Sequence, residues 1–129
     1  METLKKIFFI LLFSFFIFNN AYSESLKGNA VAIQILDKIT SRLVNIEITV
    51  GETIRFGSLQ IEIFQCIKRP PEEVPEDFVL MRINDEISLD KFERVFQGWM
   101  ISSSPAVTPF EHPTYDVWIK DCKIDIDSE

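Results

Sequence analysis

The sequence predicts an all-β domain, a small antiparallel β-sandwich or open barrel of about six to eight strands, preceded by a signal peptide. Three observations carry that reading. Apolar residues recur at period two through most of the chain, which lines one face of a strand and leaves the other to water. The apolar runs are short and separated by proline, glycine and polar residues, the punctuation of hairpins. Beyond the N-terminus, nothing has the spacing of an amphipathic helix of useful length.

The chain begins with a short basic region, Met1 to Lys6, and continues in the uncharged run Ile7 to Phe18, which holds half of the twelve phenylalanines. Asn19-Asn20 and Ala21-Tyr22-Ser23 follow, with small residues where a signal peptidase reads. This is the pattern of a secretory signal cleaved after Ser23. This run of twelve residues is shorter than the ~20 a helix needs to cross a hydrocarbon core, so no integral span is expected after cleavage. The absence of a cysteine near the cleavage point excludes a lipid anchor there. Removing residues 1–23 leaves 106 residues with 11 basic and 19 acidic side chains, a formal net charge of −8. That balance argues against nucleic acid, because neutralising phosphates takes clustered Lys and Arg.

Residues 24–29 read as a flexible lead-in to a single β domain over residues 30–123, with an acidic tail at 124–129. In the first strand Val31, Ile33 and Ile35 alternate with Ala32 and Gln34. In the second, Val44, Ile46, Ile48 and Val50 alternate with Asn45, Glu47 and Thr49. Asp37 to Ser41 between them has the composition of a hairpin turn. Ile54-Arg55-Phe56 restarts the pattern after Gly51-Glu52-Thr53, and Gly57-Ser58 turns it again. On the next strand Leu59, Ile61, Ile63 and Ile67 share one face, and Phe64 and Cys66 share the other.

Arg69 to Asp77, with three prolines, is read as a stiff acidic loop, since proline removes a ladder donor. Phe78 to Ile83 and Phe92 to Ile101 are two more strands, joined through the polar stretches Asn84-Asp85-Glu86 and Leu89-Asp90-Lys91. Trp99 is expected in the core, beside Gly98. Pro105, Pro109 and Pro113 fix an extended loop before the last strand, Tyr115 to Lys123. There Tyr115, Val117 and Ile119 point one way, and Asp116, Trp118, Lys120 and Cys122 the other. Parity alone therefore predicts a cluster of Phe64, Trp118 and the two cysteines outside the main core, a prediction that a bulge in either strand would break.

Two cysteines in an exported chain are expected to close a disulfide, and the only pairing is Cys66 to Cys122. The residue types of a catalytic triad occur as Ser104, His112 and Asp116, with serine as nucleophile, histidine as base and carboxylate as orienting group. They lie within thirteen residues and without a Gly-x-Ser-x-Gly elbow. The plainer reading is a lone histidine that ties down a rigid loop, with serines ending a strand through bonds to backbone. One histidine with scattered carboxylates, and Asp125, Asp127 and Glu129 without glycine, match no metal site. No cofactor is implied.

Four segments in order carry a resemblance: Val50 to Leu59, Cys66 to Glu73, Phe96 to Pro105, and Glu111 to Cys122. Together they resemble an uncharacterised secreted family of alphaproteobacteria, domain of unknown function 2155, over about residues 30 to 123. The resemblance implies export and a single domain, and brings no activity, ligand or catalytic residue with it. The expected function is that of an exported, non-enzymatic periplasmic module, binding another cell-envelope protein or serving a structural role. Its candidate binding surface comprises Arg69, Pro70, Pro71, Glu72, Trp118, Phe64, His112 and Pro113, on the two proline-rich loops and the Phe64/Trp118 face. The alternative is a small periplasmic hydrolase using Ser104, His112 and Asp116. Nothing in the sequence sets an oligomeric state.

Overall fold

The protein is described here from a computed structural model covering residues 1–15, 24–104 and 109–125. The expected signal cleavage point at Ser23, Pro105 and most of the acidic tail lie outside the described residues. An N-terminal helix, α1 (Glu2–Phe15), buries no residue, and no described helix is long and apolar enough to cross a membrane. Eight strands follow: β1 (Leu26–Lys27), β2 (Ala30–Asp37), β3 (Arg42–Thr49), β4 (Thr53–Phe56), β5 (Leu59–Lys68), β6 (Asp77–Ser88), β7 (Lys91–Ile101) and β8 (Tyr115–Lys123).

All pairings are antiparallel and form two sheets. The larger runs β1-β5-β6-β7, with β4 beside β1 on the same edge of β5; the smaller runs β3-β2-β8. Val31, Ile33, Ile35, Ile48, Val117 and Ile119 of the smaller sheet close over Leu59, Ile61, Ile63, Val79, Met81 and Ile83 of the larger. This is the alternating inward row of a sandwich. The all-β reading holds, and β2, β3 and β8 present to the core the apolar rows their alternation predicts.

The cysteines do not sit where parity places them. Phe64 is an extra residue in β5, because Ile63 pairs with Met81 and Gln65 with the next residue, Leu80. Lys120 is likewise extra in β8, where Ile33 faces Ile119 and Ala32 faces Asp121. Each bulge turns the chain beyond it by one position. Cys66 and Cys122 therefore point inward, fully buried, and their disulfide joins the sheets with Cα atoms 5.9 Å apart. The predicted outer cluster of Phe64, Trp118 and the cysteines does not exist.

The lead-in is also more ordered than its composition implies. Leu26 and Lys27 pair with Lys68 and Ile67 of the larger sheet. The Gly28 amide then donates to the Cys66 carbonyl at 2.9 Å, and the Asn29 amide to the Lys123 carbonyl of the smaller sheet at 2.9 Å. Gly28 lies on the disulfide so closely that a Cβ would collide with Sγ of Cys122 and sit 2.9 Å from Sγ of Cys66. Asn84-Asp85-Glu86 is strand rather than connector: β6 and β7 form one long hairpin turning at Leu89-Asp90, with Asp90 at φ 57°. Trp99 is 38% exposed and not in the core, because Met100 takes the inward position.

Candidate functional site

His112 is buried and fixed at both ring nitrogens. Its Nδ1 accepts from the backbone amides of Thr114 at 3.1 Å and Tyr115 at 3.2 Å. It therefore carries no proton, and Nε2 donates to Asp85 Oδ2 at 2.8 Å. The ring stacks on Phe110 with centroids 5.8 Å apart and leans on Tyr115. Lys38 Nζ donates to the His112 carbonyl and pairs with Asp116 at 3.3 Å. Burial pushes the Asp85 carboxyl up, but hydrogen bonds from Ser58 and His112 outweigh it and hold the group below its ordinary value. Gly57, at φ 57°, sits against Tyr115, whose hydroxyl leaves no room for a Cβ there. The result is a polar plug binding the loop before β8 to β6 and the β4–β5 turn.

The other end of that loop is held differently. Ser102 Oγ donates to Glu76 Oε1 at 2.8 Å and accepts from the Asp77 amide at 3.1 Å. The Ser103 amide and hydroxyl also bond the Glu76 carboxylate. The Ser103 hydroxyl foremost, then the Ser103 amide and the Ser102 hydroxyl, pull the Glu76 carboxyl below its ordinary value. Serines at the end of β7 thus terminate the strand, Ser102 through its bond to the Asp77 amide and both through the Glu76 carboxylate.

These anchors separate the triad types. Ser102 is pinned at Asp77 and His112 at Asp85, eight residues further along β6, about 26 Å at the rise of a strand. The carboxylate on His112 is Asp85, and Asp116 is taken by Lys38. The structure does not bring Ser104, His112 and Asp116 together, and the histidine has no lone pair left to accept a hydroxyl proton. Asp85, the missed partner, stands 27 residues away in sequence, and only the register of β6 reveals it.

A second charged group lies near the disulfide. Lys68 Nζ donates to Asp121 Oδ1 at 2.7 Å and faces Asp77 at 3.8 Å, and the hydrogen bond to Asp121 raises its pKa. Burial raises the Asp77 carboxyl despite Lys68. Among the described residues no group of histidines, cysteines and carboxylates could hold a metal ion.

The predicted binding residues scatter. Pro70 and His112 are buried; Pro71, Glu72 and Pro113 are exposed. Among the described residues the two proline-rich loops meet where Glu76 and Asp77 bond the serines. Trp118 is half-buried and lines a cleft of about 210 Å3 with Met100, Ile101, Pro109 and Phe110; residues 105–108, adjoining it, lie outside the described part.

Phe64 and Arg69 instead join a surface that includes residues not singled out from the sequence. On the outer face of the larger sheet Gln65, Leu80 and Trp99 form one cross-strand row, and Ile67, Phe78 and Ile101 the next. Phe64 is 37% and Trp99 38% exposed. The Arg82 guanidinium lies 5.1 Å from the Phe64 ring centroid, and that of Arg69 lies 5.5 Å from Phe78, within reach of the ring quadrupole. Arg55 covers Phe92 in the same way, and Arg94 stands opposite Asn84 on the same face. Four of the five arginines in an acidic chain therefore share one sheet face and its rim with its exposed aromatics.

Comparison with known proteins agrees with the resemblance in the sequence. A family described as an uncharacterized protein conserved in bacteria, DUF2155, matches residues 31–122. The uncharacterized protein RP359 of Rickettsia prowazekii (strain Madrid E) is 35% identical over 108 residues, spanning 81% of this chain and 68% of the relative. No solved structure matches. The matched region begins at Val31 in β2 and ends at Cys122 in β8, so it takes in both bulged strands and both cysteines, and the chain belongs to the DUF2155 family of bacterial proteins.

Proposed function

We propose that this protein is an exported, non-catalytic β-sandwich of the periplasm that binds another envelope protein through the outer face of its larger sheet. The observation that carries this reading is the arginine-flanked aromatic surface around Trp99 and Phe64. Trp and Arg dominate the energetics of protein interfaces, and exposed aromatics on a rigid sheet are ordered at little cost when they bind. The locked histidine supports the same reading, because the chain's single imidazole is committed to holding a loop. Export is supported by the basic and apolar N-terminus and by a disulfide at the centre of the fold.

The test is crosslinking in intact cells followed by affinity recovery. The wild-type chain is expected to retain a reproducible envelope protein, and a variant carrying Trp99→Ala and Phe64→Ala to lose it while remaining folded. Recovery equal to that of an exported control protein would refute the reading. A fusion to a reporter active only outside the cytoplasm checks export, and an inactive reporter would remove the periplasm from the proposal.

A further inference from the structure

We infer that the partner contributes an extended strand, which pairs with the open edge of β7 between Phe96 and Ile101. This rests on the protein-binding reading above and specifies how the contact is made. β7 ends the larger sheet, and among the described residues no strand pairs with its outer side. A long free edge presents unpaired amides and carbonyls, and proteins normally blunt it with charges, prolines, bulges or short length.

The other edges are blunted in this way. β1 and β4 have two and four residues. β3 carries Arg42 and Glu47, and β8 carries the bulge at Lys120, followed by Asp121. The first half of β7 is protected too, by Lys91, Glu93 and Arg94 and by the irregularity at Val95. Its second half, Phe96-Gln97-Gly98-Trp99-Met100-Ile101, has neither charge nor proline, and its ladder with β6 is unbroken from Ile83↔Phe96 to Phe78↔Ile101. Gly98 at φ 150° is its one unusual backbone position, and no other described edge of this length is both uncharged and free of a register shift.

The chemistry of the occupant follows from what borders the edge. An added strand would set alternate side chains beside Ile101, Trp99 and Gln97 on the outer face, and main-chain bonds would supply the rest of the affinity. Trp99 and Ile101 call for apolar neighbours, and Gln97 for a hydrogen-bonding one. Arg94, exposed and without an ion pair among the described residues, calls for a carboxylate. On the inward side the Phe110 ring lies edge-on to Phe96, and a Cβ placed on Gly98 would meet nothing within 4 Å among the described residues, which leaves space beside Gly98 for a small partner side chain. The partner strand is therefore apolar at two alternating positions, with an aspartate or glutamate at the end that reaches Arg94.

The experiment uses the full chain in cells, with a photo-crosslinking residue at position 97, 99 or 64 in turn. Closure of the Cys66–Cys122 bridge confirms that each variant is folded. Strand addition predicts that the adducts from positions 97 and 99 fall two residues apart on one segment of one protein, with an acidic residue further toward Arg94. Arg94→Glu should then lower the yield from position 99 by about threefold to tenfold, as reversal of a rim charge does. An unchanged yield would overturn the acidic partner. Adducts spaced as on a helix, or centred on position 64, would overturn strand addition while leaving a protein-binding face intact. Adducts to a second copy of this chain would overturn the inference in favour of an edge-to-edge dimer. No adduct from any of the three positions would overturn both this inference and the reading on which it rests.

Discussion

His112 is a side chain whose hydrogen-bonding capacity is spent entirely within the fold. Its ring gives its proton to Asp85 and its lone pair to two amides, so truncation would remove a partner from three partly buried groups at once. His112→Ala is expected to lower unfolding stability by about 2–4 kcal/mol in a urea titration, and Ser104→Ala by under ~0.5 kcal/mol. A catalytic pair would invert that contrast, affecting activity and sparing stability. The two inner aspartates of β6 should respond to pH with opposite signs. The Asp85 carboxyl is lower in the folded state than in the unfolded chain, so its contribution is present above the ordinary carboxylate range and is lost as pH falls through the lowered value. Asp85→Asn should cost about 1.5 kcal/mol at neutral pH and progressively less in acid. Asp77, raised by burial, weakens the fold when ionised; Asp77→Asn should raise the urea midpoint at neutral pH, with the gain vanishing in acid.

At the scale of elements, alternation alone makes β2, β3 and the first half of β5 legible, since Val31, Ile33, Ile35, Leu59, Ile61 and Ile63 are all buried as their spacing requires. The bulges at Phe64 and Lys120 leave no mark in the sequence, because neither is a glycine or proline and each is set by what lies across the ladder. The polar run Asn84-Asp85-Glu86 imitates a turn by composition, yet its members pair with Leu59, Gln60 and the β7 residues opposite; tertiary pairing overrides local preference here. The bulge in β8 yields a counterintuitive prediction. Deleting Lys120 removes the extra residue and leaves Ile119 and Cys122 on the core side, so the bridge should still close, with a stability change of under about 1 kcal/mol. Inserting an alanine after Lys120 should instead direct Cys122 outward and leave free thiols, read by mass spectrometry after alkylation. Free thiols in the deletion variant would show that the bulge itself is required.

For the whole molecule, the two cysteines were the most informative pair in the sequence as to pairing and the least as to place. Their bridge spans 56 positions, which in the chain-entropy account is worth about 4 kcal/mol. Cys66→Ala with Cys122→Ala should therefore lower the unfolding midpoint markedly, and an unchanged midpoint would mean that the bridge adds no constraint. The proposed binding face is only half legible, because Phe64 and Arg69 are visible as exposed types in a loop-flanked strand, whereas Trp99 reads as core until the register of β6 and β7 is known. The sealed position of the sulfurs has a further consequence. Cys66 and Cys122 are each 0% exposed, with Gly28 laid over them, so a dissolved thiol can attack only after the sandwich has come apart at that end. The speed at which dithiothreitol releases the pair is then a clock for the opening of the molecule. It runs without any label, and in living cells it would tell time in the compartment where the protein resides.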